Sequence, residues 1–386
     1  MKTEEQLLNI IKNVIVNDTE NAKIVTLNAL ELKNVEKLAA KHDLTHFIGV
    51  AADNHTLNIP KEQNTLIRNM MFTTAARMEQ LNFEFLQICK TLQNFKIVYM
   101  PLKVAIIKQY YPQSWMRTSC DIDILVHENE AYKAAEILCK KNGYTVKSKN
   151  YHDYSLIKKS GIGTHLELHF NLKETYDNLD SILDKVWQYS FPKKDGGFEY
   201  CMKPEFFMFH QYAHAYYHFV SGGCGIRMVL DLFLLNKKFN FNSEEVEELL
   251  KKANILKFAR QLKKLGEVWF CNEAADELTN LMQDYIFTGG VYGTEFNLVA
   301  MQQQKRGGKF KYAVSKFWLP FKTAKNNYPI LNKCPAMYPL IQIKRWGNLI
   351  FCGGIKRSVR NLSVNRHISE EKSQNIKKMM EELDLL

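Results

Sequence analysis

The first ninety residues place hydrophobic side chains at helical spacing. In LLNIIKNVI and VEKLAAKH, apolar residues recur at i, i+3 and i+4, which predicts amphipathic helices. From Pro60 the segment KEQNTLIRNMMFTTAARMEQLNFEFLQICKTLQ predicts one long helix that buries Met and Phe. We therefore expect residues 1–92 to form a helical region that packs on the next part of the chain. Arg68 and Arg77 of the long helix are alternative candidates for contact with a substrate.

Beyond residue 95 the pattern changes to short runs in which apolar and polar positions alternate, as is typical of strands. It predicts five strands and two intervening helices, in the order KIVYM, Leu102–Tyr111 (helix), Asp121–Val126, Glu128–Asn142 (helix), Tyr144–Ser148, Tyr154–Lys158 and His165–Phe170. Gly143 follows the second helix, at a position where glycine commonly ends a helix. This order suits a small mixed sheet with helices on one face, so we predict an α+β fold with its core at residues 93–192.

After Pro192 the chain becomes helical again. The predicted helices of this bundle are Pro204–Val220, Ile226–Lys238, Ser243–Ala253, Leu256–Lys264 and Glu273–Phe287. The final section mixes amphipathic helix with proline-punctuated, basic and aromatic sequence, and it ends in a charged helix over Ser369–Leu385. We therefore predict helical regions on both sides of the core and four domains, at residues 1–92, 93–192, 193–290 and 291–386.

Composition indicates an ordered globular protein. The chain has 386 residues, 46% of them hydrophobic, which is enough for a large core. Its eight cysteines form no CxxC pair, which argues against a disulfide framework or a structural zinc site and favours the reducing cytoplasm. The N-terminus lacks the basic start and cleavage site of a signal peptide. The longest run without Asp, Glu, Lys or Arg, Phe206–Ile226, contains three histidines and a Gly-Gly, so we predict a buried helix and a turn there.

The net charge of +11 is concentrated in one segment. Between Phe296 and Ser369 there are fourteen Lys and Arg residues and no Asp or Glu. Here FKYAVSKFWLPFK and IKRWGNLIFCGGIKRSVR interleave aromatic and aliphatic residues with basic ones. The pattern suits an anionic membrane surface or single-stranded nucleic acid, and ordinary helix packing with exposed lysines is the third alternative. We expect a cytoplasmic protein. Under the first two alternatives its segment 296–369 binds an anionic partner, and peripheral membrane association is one form of that binding.

The strongest chemical signal is the strand DIDILV at Asp121–Val126. Alternate residues of a strand share one face, so the carboxylates of Asp121 and Asp123 project together, about 6 to 7 Å apart along the backbone. Two such charges about 4 Å apart repel by roughly 4 kcal/mol at an effective dielectric near 20. The pair therefore requires a cation, and carboxylates together with substrate phosphates are how proteins hold Mg²⁺. In THLELHF, Glu167 lies on a later alternating strand and is the candidate third carboxylate.

These strands resemble the nucleotidyltransferase superfamily that includes DNA polymerase beta, and more closely a bacterial family of uncharacterised nucleotidyltransferases. The matching positions lie within about residues 95–240 and are Leu102-Lys103, Tyr111-Pro112, Arg117, Asp121-Ile122-Asp123 and Glu167-Leu168-His169. The resemblance implies that Asp121, Asp123 and Glu167 hold two metal ions, Mg²⁺ or alternatively Mn²⁺. In-line transfer needs metal ions at the attacking and leaving oxygens, and Glu167 is the candidate that accepts the proton of the attacking hydroxyl.

Phosphate-binding residues are expected between the first strand of the core and Asp121. Where the superfamily has Gly-Ser or Gly-Gly before the helix, this chain has Lys103-Val104-Ala105. Lys103 and the helix N-terminus can still supply positive potential to a nucleotide's phosphates. The guanidinium of Arg117 suits a bidentate phosphate contact, and the hydroxyl of Ser119 can donate a hydrogen bond. A surface position for Arg117 and a turn role for Ser119 are the alternatives.

Three histidines recur at every fourth residue of one predicted helix, at His210, His214 and His218. That spacing is compatible with zinc binding, with a hydrogen-bonded core, or with a wall of the nucleotide or acceptor site. We predict that His214 and His218 contribute to nucleotide binding.

Other polar residues near the predicted site have structural interpretations. Arg227 and Asp231 are four residues apart on one predicted helix, which favours a mutual ion pair. His152 and His169 flank the acidic strands, and we expect them to orient carboxylates.

The carboxylates predict a metal site, and the resemblance implies that the protein is a nucleotidyltransferase that moves an NMP group from an NTP donor to an acceptor and releases pyrophosphate. One alternative is a non-enzymatic binding module that keeps the fold and uses its basic C-terminal region to bind membrane or nucleic acid. Another is a kinase-like phosphotransfer, which would release an NDP instead. The acceptor, the preferred NTP and the oligomeric state are open.

Overall fold

The structure is a computed structural model that describes residues 2–16, 23–161, 163–174, 177–291, 293–321, 324–325, 328, 330–351 and 354–386. The chain forms two compact units, the first made of Met1–Tyr217 with Ile226–Ala275 and the second of His218–Gly225 with Asp276–Leu386. The bounds of the four domains predicted above stay a prediction. Within the basic segment, Cys352 and positions 322, 323, 326, 327, 329 and 353 lie outside the described residues.

The first unit begins with helices, as the periodicity predicts. They are α1 Thr3–Val16, α2 Ala29–Lys41, α3 Thr45–Asp53 and α4 Lys61–Asn94, and two short strands pair in parallel between them, β1 Val25–Thr26 and β2 Leu57–Asn58. A capping box starts α2, because Asn28 accepts from the N–H of Glu31 while the Glu31 carboxylate accepts from the N–H of Asn28. The long helix predicted from residue 60 is confirmed in α4.

The central sheet has five strands among the described residues, in the spatial order β3-β4-β7-β6-β5. The strands are β3 Tyr99–Pro101, β4 Asp121–Val126, β5 Thr145–Lys149, β6 Asp153–Lys158 and β7 Thr164–His169. Strands β4 and β7 run parallel, and the other neighbours run antiparallel. Two helices interrupt the strand sequence, α5 Val104–Ile107 and α6 Glu128–Asn142. The fold is therefore α+β, with a small mixed sheet flanked by helical regions.

One face of this sheet is buried under helices α4 and α6. The apolar positions of the two parallel strands enter this core, and they are Ile122, Ile124, Val126, Leu166 and Leu168. They pack with side chains of α4 and α6 that include Ile88, Leu92, Ala134 and Leu138. Full burial of one such aliphatic side chain stabilises the fold by about 1.5–3 kcal/mol. Because these residues alternate along β4 and β7, their burial fixes which residues of the two strands point to the opposite face.

The rest of the first unit is mainly helical. Its elements are α7 Asp177–Leu183, β8 Ser190–Pro192, β9 Tyr200–Met202, α8 Pro204–Val220, α9 Ile226–Lys238, α10 Ser243–Lys252 and α11 Leu256–Cys271, with 3₁₀ turns at Lys108–Tyr110, Ser114–Met116 and Val186–Tyr189. Helix α11 is longer than the predicted Leu256–Lys264 because Leu265, Trp269 and Phe270 continue its buried stripe. It ends where Asn272 adopts a left-handed conformation.

The second unit takes the last residues of α8 and is otherwise built from C-terminal helices. Those described are Glu277–Gly289, Glu295–Lys305, Lys309–Phe317, Ile330–Lys333, Tyr338–Phe351, Gly354–His367 and Glu370–Glu382, with a 3₁₀ turn at Pro335–Met337. The segment after α8 fits closely here, since Gly222 accepts a hydrogen bond from the N–H of Thr294 at 3.2 Å. A Cβ on Gly293 would stand 2.4 Å from the backbone of Gly222, so glycine is required at that contact.

None of the helices in the described part of the chain has the length and hydrophobicity needed to span a bilayer.

Candidate active site

Two neighbouring parallel strands bring the three predicted carboxylates together. In the register of β4 and β7, Asp123 is paired with Glu167 and Asp121 with His165. Because Ile122 and Leu166 point into the core, these polar residues share the opposite face of the sheet. The sequence predicted each strand and its polar face, and the resemblance implied that the two strands are neighbours.

The donor atoms on this face are close enough to share a metal ion. Among the described residues, two groups have one ligand atom each within 4.8 Å of the others, namely Asp121 with His165 and Glu167, and Asp123 with Glu167 and His169. Carboxylate oxygens suit Mg²⁺ and Mn²⁺, and imidazole suits the transition metals. The residues present therefore fit a divalent cation.

Asp123 is the most enclosed of the three acids, with a side chain that is 4% exposed. Its Oδ1 accepts two hydrogen bonds, from Lys103 Nζ at 2.9 Å and from His169 Nε2 at 2.9 Å. Burial by itself raises the pKa of the Asp123 carboxyl, but the charge of Lys103 and the hydrogen bond from His169 outweigh burial and hold this pKa below its usual range. Asp123 is thus ionised and already paired with a cation of the chain itself.

The backbone holds Lys103 beside Asp123. The N–H of Leu102 donates to the carbonyl of Asp123 at 3.1 Å, and the next residue turns sharply with φ 43° and ψ −109° at Lys103. This conformation is close to the first central position of a type II′ turn, where glycine dominates. The turn therefore has a glycine-type backbone although a lysine stands at this position. The helix that follows is shorter than the predicted Leu102–Tyr111, because α5 gives way to a 3₁₀ turn at Lys108–Tyr110.

Asp121 and Glu167 are more accessible than Asp123. Ser119 Oγ donates to Asp121 Oδ1 at 2.7 Å, while burial and the neighbouring charge of Asp123 raise the pKa of the Asp121 carboxyl. The Glu167 side chain is 28% exposed, and the nearby His169 Nε2, 3.4 Å from Glu167 Oε2, lowers its pKa through a hydrogen bond. In this structure Ser119 orients a carboxylate, and a phosphate contact for its hydroxyl stays a prediction.

His169 lies between two of the acids, as predicted for a residue that orients carboxylates. Burial alone would lower the pKa of its imidazole, but hydrogen bonds to Asp123 and Glu167 raise that pKa to about 9. The ring of His152 stacks on His169 at a centroid distance of 5.7 Å, and its Nε2 is 3.7 Å from Asp153 Oδ1. His152 therefore supports the site through His169.

Arg117 is buried in an ion pair. Its Nε donates to the carboxylate oxygens of Asp231 at 2.7 and 2.8 Å, and Tyr111 Oη donates to the same carboxylate at 2.6 Å. The predicted pair between Arg227 and Asp231 is wrong, because residues 111 and 117 reach Asp231 from the segment before β4. Arg227 Nη1 instead contacts Asp43, and it donates to the Thr118 hydroxyl at 3.1 Å. A phosphate contact for Arg117 stays a prediction beside this structural role.

Helix α8 places histidines near the acids. Burial lowers the pKa of His210 to about 3, and the charges of Lys103, His169 and Asp123 are close enough to act on it. His214 Nδ1 lies 3.5 Å from Glu174 Oε1, whereas His218 belongs to the second unit. Neither metal-capable group found among the described residues includes this histidine stripe. Nucleotide binding by His214 and His218 stays a prediction.

Glu174 is the residue near the site that sequence reasoning missed. Burial raises the pKa of its carboxyl to about 7, and the charges of Lys103, His169 and Glu167 act on it. Glu174 follows β7 outside the alternating pattern, so neither periodicity nor spacing marks it.

A cleft of about 520 Å³ opens beside Asp121 and Asp123. Apolar side chains form much of its wall, and they are Met78, Leu81, Phe85, Leu102, Val104, Ala105, Trp115 and Ile122. Arg117, Glu79, Asn82 and Lys108 add polar groups to the lining.

Comparison with known proteins agrees with this geometry. Searches of curated proteins and of solved structures gave no match. Residues 28–270 match a family model described as uncharacterised nucleotidyltransferase. This match covers more than half of the chain and includes the acidic strands β4 and β7, so the protein belongs to the uncharacterised nucleotidyltransferase family and is a transferase of phosphorus-containing groups.

Proposed function

We propose that the protein transfers a nucleoside monophosphate from an NTP to an acceptor, with release of pyrophosphate, at Asp121, Asp123 and Glu167. The observation that carries this proposal is the parallel register of β4 and β7, which sets Asp123 opposite Glu167 with Asp121 on the same face. Three acids on one sheet face, beside a cleft with a largely apolar wall, suit a metal-bound triphosphate whose organic part lies against that wall.

The surroundings of each residue in the site indicate its role. A divalent ion, Mg²⁺ or Mn²⁺, held by the carboxylates would stabilise negative charge on the phosphoryl oxygens. Glu167 is the acid most open to solvent and accepts the proton of the acceptor's hydroxyl. His169 holds Asp123 and Glu167 in place, since its Nε2 contacts both. Lys103, Arg117, Ser119, His214 and His218 stay the candidate nucleotide ligands.

Calorimetric titration of ATP, CTP, GTP and UTP with Mg²⁺ tests the donor site. We expect one of the four to bind in the presence of Mg²⁺ and to lose at least about tenfold in affinity when EDTA removes the metal, because an ion held by the carboxylates would attract the phosphates. Asp121→Asn should lose the same binding, whereas Glu136→Gln, which removes a carboxylate on α6 outside the cleft lining and the metal-capable groups, should keep it.

Product analysis separates this proposal from the kinase-like alternative. Pyrophosphate among the products marks nucleotidyl transfer, whereas an NDP marks transfer of the terminal phosphoryl group. Failure of every NTP to bind with Mg²⁺ would contradict a donor site and favour a binding module on the same fold.

A solvent-exposed aromatic and aliphatic patch in the second unit favours a second function, peripheral binding to an anionic membrane. Its exposed members are Trp318, Phe321, Leu340, Ile343 and Trp346, and the half-buried Tyr338 lies among the aromatic ones. Tyr338 lies 5.9 Å from Trp318 and 5.2 Å from Phe321 between ring centroids, and Trp318 lies 6.1 Å from Trp346. The patch thus joins the helix Tyr338–Phe351 to the segment that follows the helix Lys309–Phe317.

We infer that lipid suits this patch better than nucleic acid. Leu340 and Ile343 are 60% and 59% exposed, and aliphatic side chains enter a bilayer interface but do not stack on bases. The segment 296–369 around them carries fourteen Lys and Arg residues and no acid, which complements anionic headgroups.

Vesicle sedimentation tests the membrane proposal. We expect binding to phosphatidylserine-containing vesicles, little binding to phosphatidylcholine alone, and an affinity about 10²-fold lower in Leu340→Ser/Ile343→Ser, because each buried aliphatic side chain contributes about 1.5–3 kcal/mol. Leu30→Ser/Leu66→Ser is the matched control, since these leucines are 69% and 60% exposed in the first unit. Binding of single-stranded RNA without vesicle binding would instead favour a nucleic-acid partner.

A further inference from the structure

We propose that Lys103 takes the place of a second metal ion, so that the site binds one divalent cation per chain. This inference rests on the proposed function, because it concerns the same carboxylates. It departs from the two ions that the resemblance to the superfamily implies. The geometry around Asp123 carries it.

A single oxygen of Asp123 receives both protein donors. Oδ1 is 2.9 Å from Lys103 Nζ and 2.9 Å from His169 Nε2, so only Oδ2 is left for a metal. A carboxylate that bridges two ions 3.5–4 Å apart gives one oxygen to each. In this arrangement Asp123 can therefore bind one metal ion, through Oδ2. To bridge two ions, its Oδ1 would have to lose the hydrogen bonds from both Lys103 and His169.

The backbone opposes withdrawal of Lys103 from this position. Strand β3 is paired with β4, and the N–H of Leu102 donates to the Asp123 carbonyl at 3.1 Å. The Lys103 carbonyl in turn accepts the N–H of Ile107 at 3.0 Å, which ties the residue to α5. The Lys103 side chain is only 19% exposed, so an ammonium displaced by a second ion would have to find another partner within a largely enclosed site.

The placement of the ligand atoms agrees with one ion. The group Asp121, His165 and Glu167 has ligand atoms within 4.8 Å of one another and does not include the Oδ1 that Lys103 occupies. We therefore assign the metal to Asp121 and Glu167, with Oδ2 of Asp123 as a further ligand, and Oδ1 of Asp123 to the Lys103 ammonium.

Titration with MnCl₂, with free Mn²⁺ counted by electron paramagnetic resonance, tests this assignment. We expect one Mn²⁺ per chain in the wild type, one in Lys103→Arg, which retains the charge, and two in Lys103→Met, which frees Asp123. The matched control is Lys158→Met, because Lys158 forms a similar 2.9 Å pair with Glu84 and is 21% exposed. We expect one Mn²⁺ in that variant as well.

The outcomes distinguish this inference from the proposed function. Two ions in the wild type, or one ion in both the wild type and Lys103→Met, overturn the role of Lys103 and leave the metal site intact. No bound Mn²⁺ in any of the four proteins overturns the metal site itself. Circular dichroism on each variant checks that the fold is retained. If Lys103→Met fails to fold, Lys103→Arg still tests the assignment, because two ions in Lys103→Arg would contradict it.

Discussion

Asp121→Asn and Asp123→Asn are both expected to lower Mg²⁺-dependent nucleotidyl transfer by about 10³-fold, because a metal ion stabilises the transition state by several kcal/mol. Their effects on stability should differ. Asp121 shares a strand face with another acid, so a neutral amide there removes a repulsion and leaves the free energy of unfolding unchanged or slightly higher. Asp123→Asn leaves the ammonium of Lys103 without its carboxylate, which should cost about 2–3 kcal/mol.

Pyrophosphate release measured beside urea unfolding checks this contrast. The two variants should coincide in activity and separate in unfolding midpoint, with Asp123→Asn the less stable. Equal stabilities would contradict the ion pair between Lys103 and Asp123. Full activity in Asp121→Asn would contradict the assignment of that carboxylate to the metal.

Arg117→Met is expected to destabilise the first unit by about 3–5 kcal/mol, the usual cost of leaving one member of a buried ion pair alone. The Arg117 and Asp231 side chains are 8% and 7% exposed, so water cannot replace the lost partner. In Arg117→Met/Asp231→Leu both charges are gone, and the double variant should lose much less stability than the sum of the two single variants.

Hydrogen exchange of the α9 amides in increasing urea measures this double-mutant cycle. Asp231 lies on α9, and the pair connects that helix to the segment before β4. An Arg117→Met protein with wild-type exchange but no NTP binding would show that phosphate recognition, as predicted from the sequence, is the main role of the arginine. Additive single effects would show that the two side chains do not stabilise each other.

Local patterns were sufficient to predict the acidic strands and most helix boundaries. DIDILV and THLELHF alternate strictly enough that burial of Ile122 and Leu166 decides the side on which the acids lie. Gly143 was predicted to end a helix, and it does so in the left-handed conformation with φ 74°. These features depend on residues close together in the chain.

Features that depend on distant residues were not predictable in this way. Asp231 was expected to pair with Arg227, its neighbour on one helix turn, but its partner is 114 positions away. The conformation of Lys103 is another example, because a lysine at positive φ is rare and only the surrounding contacts hold it there. Glu174 is a third example, because only the fold places it near the site.

The division of α8 between the two units has a consequence for synthesis on the ribosome. Residues 218–225 emerge directly after most of the first unit, but their contacts with Tyr285, Gly293 and Thr294 need a segment that is made later. At about 5–20 residues per second, the nascent chain waits several seconds for that segment. A fragment cut at residue 275 never receives it, so truncation there should yield an aggregation-prone product rather than an isolated catalytic core.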